Sequence, residues 1–317
     1  MNFKITGTGS YIPDFIVTND MLAEIVDTSD EWITQRVGVK ERHISTNETA
    51  ADMGYRAAIR ALEMSESNPS ELDLIIAASI TNEVLCPTVA GSIQQRLGAS
   101  CPAFDISSAC SGFLFALDTA AGFFARGNIK KALIIGAERM SKIIDYTDRS
   151  TCVIFGDGAG AAVLECGENY IASKLFTAGG NDVIRIPSFI GSSPFYKGDQ
   201  PHPYVYMNGQ QTFKFAVKAM CDDLTEIAKS AGLSLDDIKY IVPHQANIRI
   251  IQFASKKLGL PIEKFFINID RIGNTSAASV PIALDELNRS GVLQEGDYVA
   301  MSAFGGGLSS ASCIVKW

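Results

Sequence analysis

The sequence predicts an α/β protein made of two copies of one unit, and three observations carry that prediction. Short, continuous apolar runs alternate with amphipathic stretches of helical period, the pattern of strands buried on both faces in largely parallel sheets. ELDLIIA at 71–77 resembles DIKYIVP at 237–243, with residues 74–76 over 240–242, a shift of 166. FALD at 115–118 and KALIIG at 131–136 lie over IALD at 282–285 and YVAMSA at 298–303, both shifted by 167. Matches in the same order at nearly one spacing indicate a duplication.

In each unit an amphipathic helix, about 50–64 and 210–231, leads into a buried strand. A helix, a strand, a helix at the matched ALD and a further strand follow. The expected halves are 1–170 and 171–317. Two excursions depart from the repeat. TSDEW, within 26–45, reads as a helix start with Thr28 or Ser29 as cap, which places Trp32 and Arg36 on one helical face. The segment 181–209 is rich in Pro, Gly, Ser and aromatic residues and reads as a surface excursion able to cover a site.

The chain has 317 residues, 47% of them hydrophobic, enough for a sizeable core. A net charge of −8 argues against general nucleic-acid affinity, although a local basic patch can still serve an acidic partner. No apolar run approaches the roughly 18 residues of a membrane span. MNFKITGTGSYIP turns polar before any signal-peptide core forms, so a cytoplasmic location is expected. The seven cysteines, 86, 101, 110, 152, 166, 221 and 313, are scattered and read as reduced thiols. The three histidines, 43, 202 and 244, lack metal-ligand spacing, so no metal site is expected.

Chemistry concentrates at four places. In AFDISSACSGFLFALD, Cys110 sits where a strand over 103–106 becomes a helix, among small residues that leave access. A helix N-terminus there favours the thiolate; a reactive cysteine and a small packing cysteine both fit this stretch. In VPHQANIRII, His244 follows a strand end, where ligands collect in such sheets; a lone histidine is more often a satisfied structural residue, but of the three this one alone lies at a strand end followed by amide side chains. By the repeat, GNTSAAS is the twin of the Cys110 turn, with Ala277 over Cys110 and Asn274 close by. Asn274 there is either a donor into a shared pocket or an ordinary turn residue. FGDGAGAAVL (155–164) and AFGGGLSS (303–310) read as tight turns between strands. The spacing of the first is wrong for a dinucleotide fingerprint, and the second offers a backbone N–H for an oxyanion.

Cys110, His244 in VPHQAN and Asn274 in GNTSAAS, together with AFGGG and FGDGAGAAVL, resemble the condensing enzymes of the thiolase superfamily, and specifically 3-oxoacyl-[acyl-carrier-protein] synthase III. The resemblance runs from ITGTGSYIP to AFGGGLSSASCIV. It implies a thiolase-like fold in five α-β-α-β-α layers and a homodimer. It also implies decarboxylative condensation of an acyl-CoA with malonyl-acyl carrier protein, which initiates type II fatty acid synthesis, with no permanently bound cofactor. On that pattern Cys110 is the nucleophile, the N–H groups of Cys110 and Gly306 form the oxyanion hole, and His244 and Asn274 stabilise the enolate. Thr28, Trp32, Arg36, Arg149 and Asn247 match CoA-binding positions, and Lys214, Arg249, Lys256 and Lys257 match a carrier-docking patch. Cys86 stands where acetyl-specific members carry a bulky aromatic, which implies room for a longer or branched acyl group. A secondary-metabolite enzyme with another primer or a malonyl-CoA acceptor fits the same residues. A degradative thiolase needs a second cysteine that AFGGGLSS lacks, and a non-catalytic partner subunit is expected to lack Cys110.

Overall fold

The fold is set by which face each strand residue takes. In the strand Leu74–Ala78, Leu74 and Ile76 point to one side and Ile75 and Ala77 to the other, and all are buried, so helices must cover both faces. The computed structural model describes residues 2–186, 195 and 203–317. Leu74 and Ile76 pack against the helices Gly112–Ala125 and Ser279–Arg289, whereas Ile75 and Ala77 pack against Ala50–Met64 and Val89–Leu97. On the far side of the two central helices lies a second sheet. Its outer face is covered by Gly209–Ser230 and Ile248–Leu258. These are the five expected layers, and each fully buried Leu, Ile or Phe in them contributes about 1.5–3 kcal/mol.

The two sheets share one strand order. The first runs Asn2–Tyr11, Asp157–Gly167, Lys131–Arg139, Leu74–Ala78, Ala103–Ile106. The second runs Tyr170–Thr177, Ser309–Lys316, Tyr298–Gly305, Ile238–Pro243. Parallel pairing holds at the Leu74–Ala78 end and its twin, and the pairings at the other end are antiparallel. The sheets are therefore mixed. The reason is the hairpin Tyr298–Gly305 to Ser309–Lys316, which returns through a tight glycine turn and can only pair antiparallel.

Among the described residues the second sheet has four strands. The strand expected between the helix Ile248–Leu258 and the matched ALD helix is reduced to one parallel bridge, Ile241 to Phe265. The side-chain amide of Gln245 takes its place, donating to the Phe266 carbonyl at 3.0 Å and accepting from Asn268 N at 3.1 Å. The glycine stretch 155–164 is not a turn. Gly158 and Gly160 lie inside the strand Asp157–Gly167, and a Cβ on Gly160 would come within 2.7 Å of the Pro281 backbone.

The early excursion is anchored by Arg42, 1% exposed, which donates to Val17 O, Asn19 Oδ1 and Val153 O at 2.8–3.0 Å. The second excursion contributes the antiparallel pair Ile184–Arg185 and Tyr206–Met207; its residues 187–194 and 196–202 lie outside the described residues.

The first sheet touches the second-half turn so closely that a Cβ on Gly136 would lie 2.4 Å from the Ala277 carbonyl oxygen. Gly136→Ala is therefore expected to destabilise the fold by about 1–3 kcal/mol through overpacking. Gly122→Ala, in an exposed helix position with open space around it, is expected to stabilise by about 0.5–1 kcal/mol. Denaturant unfolding of the two variants should move in opposite directions, and equal effects would contradict the packing.

Candidate active site

Two short turns meet at the centre of the molecule. The 3-10 turn Ala109–Ser111 leads into the helix Gly112–Ala125, and Ser276–Ala278 leads into Ser279–Arg289. Each begins with a non-glycine residue at positive φ, Ala109 at 44° and Ser276 at 50°, a region that costs such residues energy. These positions are 167 residues apart, the spacing of the repeat. The turns pack against one another, and a Cβ on Gly112 would lie 3.7 Å from that of Ala277. The end of the strand Tyr298–Gly305 closes over the first turn, with a Gly305 Cβ position only 2.7 Å from Cys110 N.

Cys110, His244, Asn274 and Gly306 line one cavity of about 250 Å³, together with Trp32 at some distance along its wall. The described ends of the second excursion also line it, through Ile184, Ile186, Val205 and Met207. The part of Cys110 that is accessible is cavity wall, and the packed protein around it strips the thiol of water. Burial pushes the thiol up to about 12, and the nearby Glu138 carboxylate adds to the rise. This overturns the expectation of a resting thiolate. Burial outweighs the helix terminus, whose contribution is about 0.3–1 kcal/mol.

His244 is 1% exposed, and burial holds its imidazole down at about 3, so it is neutral. Its Nδ1 lies 2.5 Å from Ser279 Oγ, which accepts from Gln245 N at 3.4 Å. Gln245 N takes one lone pair of Ser279 Oγ, and among the described residues His244 Nδ1 is the acceptor within reach of the Ser279 O–H, so the hydroxyl is assigned as donor to Nδ1 and the ring proton to Nε2. Phe304 fixes the ring edge-on, 5.2 Å between centroids. Asn274 Oδ1 accepts from Ser276 N at 2.8 Å, which leaves the Asn274 NH₂ as the free end of that side chain. A neutral N–H of His244 and an amide N–H of Asn274 are therefore available as donors.

The remaining candidates are placed as follows. Ser29, not Thr28, caps the helix Asp30–Arg36, accepting from Trp32 N at 3.2 Å. The Thr28 hydroxyl is shielded from solvent with no hydrogen-bond partner among the described residues. Arg149 lies over Trp32 itself, 5.2 Å from the ring centroid, and also donates to Asp27 O at 2.9 Å. A flat base between them needs about 7 Å, two van der Waals separations, so Arg149 must swing aside to admit one. Arg36 is exposed at the end of its helix. Asn247 lines the cavity, but its amide is engaged: Oδ1 accepts from Arg249 N at 2.9 Å and Nδ2 donates to Arg36 O at 3.0 Å.

Lys214, Lys256 and Lys257 are exposed on the two outer helices of the second half, and Arg249 lies 6.0 Å from the ring centroid of Phe213. Cys86 is exposed on a loop outside the cavity. Cys101, Cys152, Cys221 and Cys313 are buried packing cysteines. Sequence reasoning missed Glu138, Ser276 and Ser279. Ser276 was detectable as the repeat partner of Ala109, and Glu138 as a lone carboxylate in an apolar strand.

Family models for 3-oxoacyl-[acyl-carrier-protein (ACP)] synthase III match residues 104–179, and for its C-terminal part residues 228–317. A beta-ketoacyl-[acyl-carrier-protein] synthase III of Clostridium acetobutylicum is 48% identical, over 99% of this chain and 98% of the relative. The chain belongs to the synthase III family. The solved synthase III of Aquifex aeolicus VF5 superposes with a TM-score of 0.93 at 42% identity, covering 99% of this chain and all (100%) of that one. The priming beta-ketosynthase of the R1128 polyketide pathway gives 0.91 at 36%, covering 99% and 96%. The thiolase-like fold read from the sequence is thus shared across the family. Among the described residues no helix is long and apolar enough to cross a membrane.

The His244 environment generates a pH prediction. Its folded pKa lies below the ordinary value, so the ring should stay neutral as pH falls from 8 to 5, with the proton on Nε2. Nitrogen-15 NMR of labelled imidazole should show one unchanging neutral tautomer over that range, and Ser279→Ala should mix the tautomers. A wild-type titration midpoint near 6.5 would contradict the assignment.

Proposed function

We propose that the chain condenses an acyl-CoA primer with malonyl-acyl carrier protein, giving 3-oxoacyl-acyl carrier protein, CoA and CO₂, and so initiates type II fatty acid synthesis. The observation that carries this reading is a thiol and two neutral N–H donors, from opposite halves of the fold, on the wall of one enclosed cavity. Cys110 Sγ attacks the acyl-CoA carbonyl, the N–H groups of Cys110 and Gly306 receive the oxyanion, and CoA leaves. The malonyl thioester then loses CO₂. The electron pair of the broken C–C bond forms an enolate whose oxygen accepts from His244 Nε2–H and Asn274 Nδ2–H. The enolate carbon attacks the acyl-Cys110 carbonyl and expels the Cys110 sulfur. Donors that remain neutral suit this step, because they gain strength as negative charge develops on oxygen. On this reading residues 1–170 supply the nucleophile and 171–317 the enolate donors.

The outlying residues fit the same reading. CoA lies with its adenine against Trp32 and a displaced Arg149, its phosphates near Arg36 and Thr28, and its pantetheine arm past Asn247. Lys214 and Arg249, next to the cavity-lining Phe213 and Ile250, and Lys256 and Lys257, in the last turn of the same helix as Arg249, dock the acidic carrier protein. The chain works as a homodimer, a reading supported by Val84 and Leu85, exposed beside Cys86. Cys86 lies outside the cavity of its own chain, and its small side chain admits primers longer or more branched than acetyl by facing the partner chain's acyl pocket across the dimer interface.

Mass spectrometry after incubation with acyl-CoA primers of two to about ten carbons should show Cys110 acylated. An unmodified Cys110 with every primer would overturn the reading. Cys110→Ser should abolish acyl transfer yet leave malonyl decarboxylation measurable, and Asn274→Ala should lower decarboxylation by about 100-fold or more. Turnover with malonyl-CoA but none with malonyl-acyl carrier protein would instead indicate a related condensing enzyme of secondary metabolism.

A further inference from the structure

Behind Cys110 lies a carboxylate that the proposed reaction leaves unused. Glu138 is 0% exposed, on the strand Lys131–Arg139. Its Oε2 accepts from Thr81 Oγ1 at 2.6 Å, Ile80 N at 3.1 Å and Ser79 Oγ at 3.4 Å. Its other oxygen, Oε1, accepts from Ser276 Oγ at 3.0 Å. Ser276 lines the same cavity as Cys110, on the turn packed against the Cys110 turn, and its side chain lies close enough to favour the charged form of the thiol. The repeat shows how the carboxylate came to lie there. Ala277 is the twin of Cys110, and its backbone N–H lies on the side of Glu138 and favours the charged carboxylate. On the second-half turn the carboxylate thus lies where, on the condensing-enzyme reading, an oxyanion would lie on the first.

The Glu138 charge acts on the Cys110 thiol, and Ser79, Thr81 and Ser276 supply neutral contacts to the carboxylate. Arg139, next in the chain, turns to Glu83 at 3.1 Å. Asp157, across the sheet from Arg139, is held by Ser45 N and Ser141.

We propose that Glu138 is a positioning residue that acts through Ser276 to hold the proton of the Cys110 thiol during acyl transfer. This rests on the condensing-enzyme reading above. As Sγ attacks the thioester carbonyl, the S–H proton passes to Ser276 Oγ, and the Ser276 hydroxyl proton passes to Glu138 Oε1. The new C–S bond forms, the bond to the CoA sulfur breaks, and the departing sulfur takes the proton back along the same path. CoA leaves as its thiol and Glu138 is again a carboxylate. The exchange never places two negative charges side by side, because thiolate and carboxylate are not ionised together. Burial raises Glu138 to about 7, whereas His244 is held near 3, so the carboxylate is the better proton acceptor near neutral pH.

The test measures two rates on the full-length protein against pH: single-turnover acylation of Cys110 by an acyl-CoA, and alkylation of Cys110 by iodoacetamide. Wild-type acylation should rise with pH through about 7 as Glu138 ionises. Glu138→Gln should lose that rise and acylate at least about 10-fold more slowly. Its thiol, relieved of a neighbouring negative charge, should alkylate at lower pH than wild type. Opposite movement in the two assays separates proton handling from structural damage, which slows both. Glu138→Asp should keep the pH rise and Ser276→Ala should lose it, so the question stays answerable if one variant fails to fold. An unchanged pH profile in Glu138→Gln would overturn the proposal. Failure of the wild type to acylate would instead count against the condensing-enzyme reading.

Discussion

The centre of the molecule depends on the backbone contact between two left-handed turns at the starts of the two buried helices. The packing around these turns leaves no room for a side chain at Gly136 or Gly305, and it holds Ala109 and Ser276 in conformations that cost about 1–3 kcal/mol each. The surrounding sheets over-determine both turns, so the strain persists. One result is that the N-terminal ends of two helices face a common space. At one of them the Glu138 carboxylate lies beside the Ala277 N–H.

Burial decides the protonation states in that space. Cys110, His244 and Asn274 are all uncharged in the resting site, although two of them belong to types often drawn as an ion pair. An imidazolium and a thiolate this deep would each lose hydration that their mutual attraction only partly returns. The neutral arrangement keeps the cavity apolar enough for an acyl chain. It also leaves its polar groups oriented by partners behind them, Ser279 for His244 and Ser276 for Asn274.

Much of this was legible in the chain. Continuous apolar runs and the repeat indicated two α/β halves and the pairing of Cys110 with Ala277, and the family resemblance implied the five layers. The strand end before His244 was readable because apolar runs stop where Pro243 and polar residues begin. Three features were not. The missing fifth strand depended on one side chain, Gln245, capturing backbone groups twenty residues away, which no local pattern records. The glycines of 155–164 imitate a turn signal but serve close packing against Pro281 and Ile282. The thiol's protonation state depended on desolvation, a property of the assembled cavity rather than of the helix start that the local sequence displays.

The lost strand has a consequence for assembly. In the first half, Ala103–Ile106 leaves a row of peptide groups at the end of its sheet, while in the second the corresponding end is closed by Gln245 and the Phe265 bridge. Had both copies of the ancestral unit kept that strand, each chain would present two interchangeable adhesive ends, and strand addition would run on into open-ended chains. With one end closed, any growth through this edge would stop after a single partner.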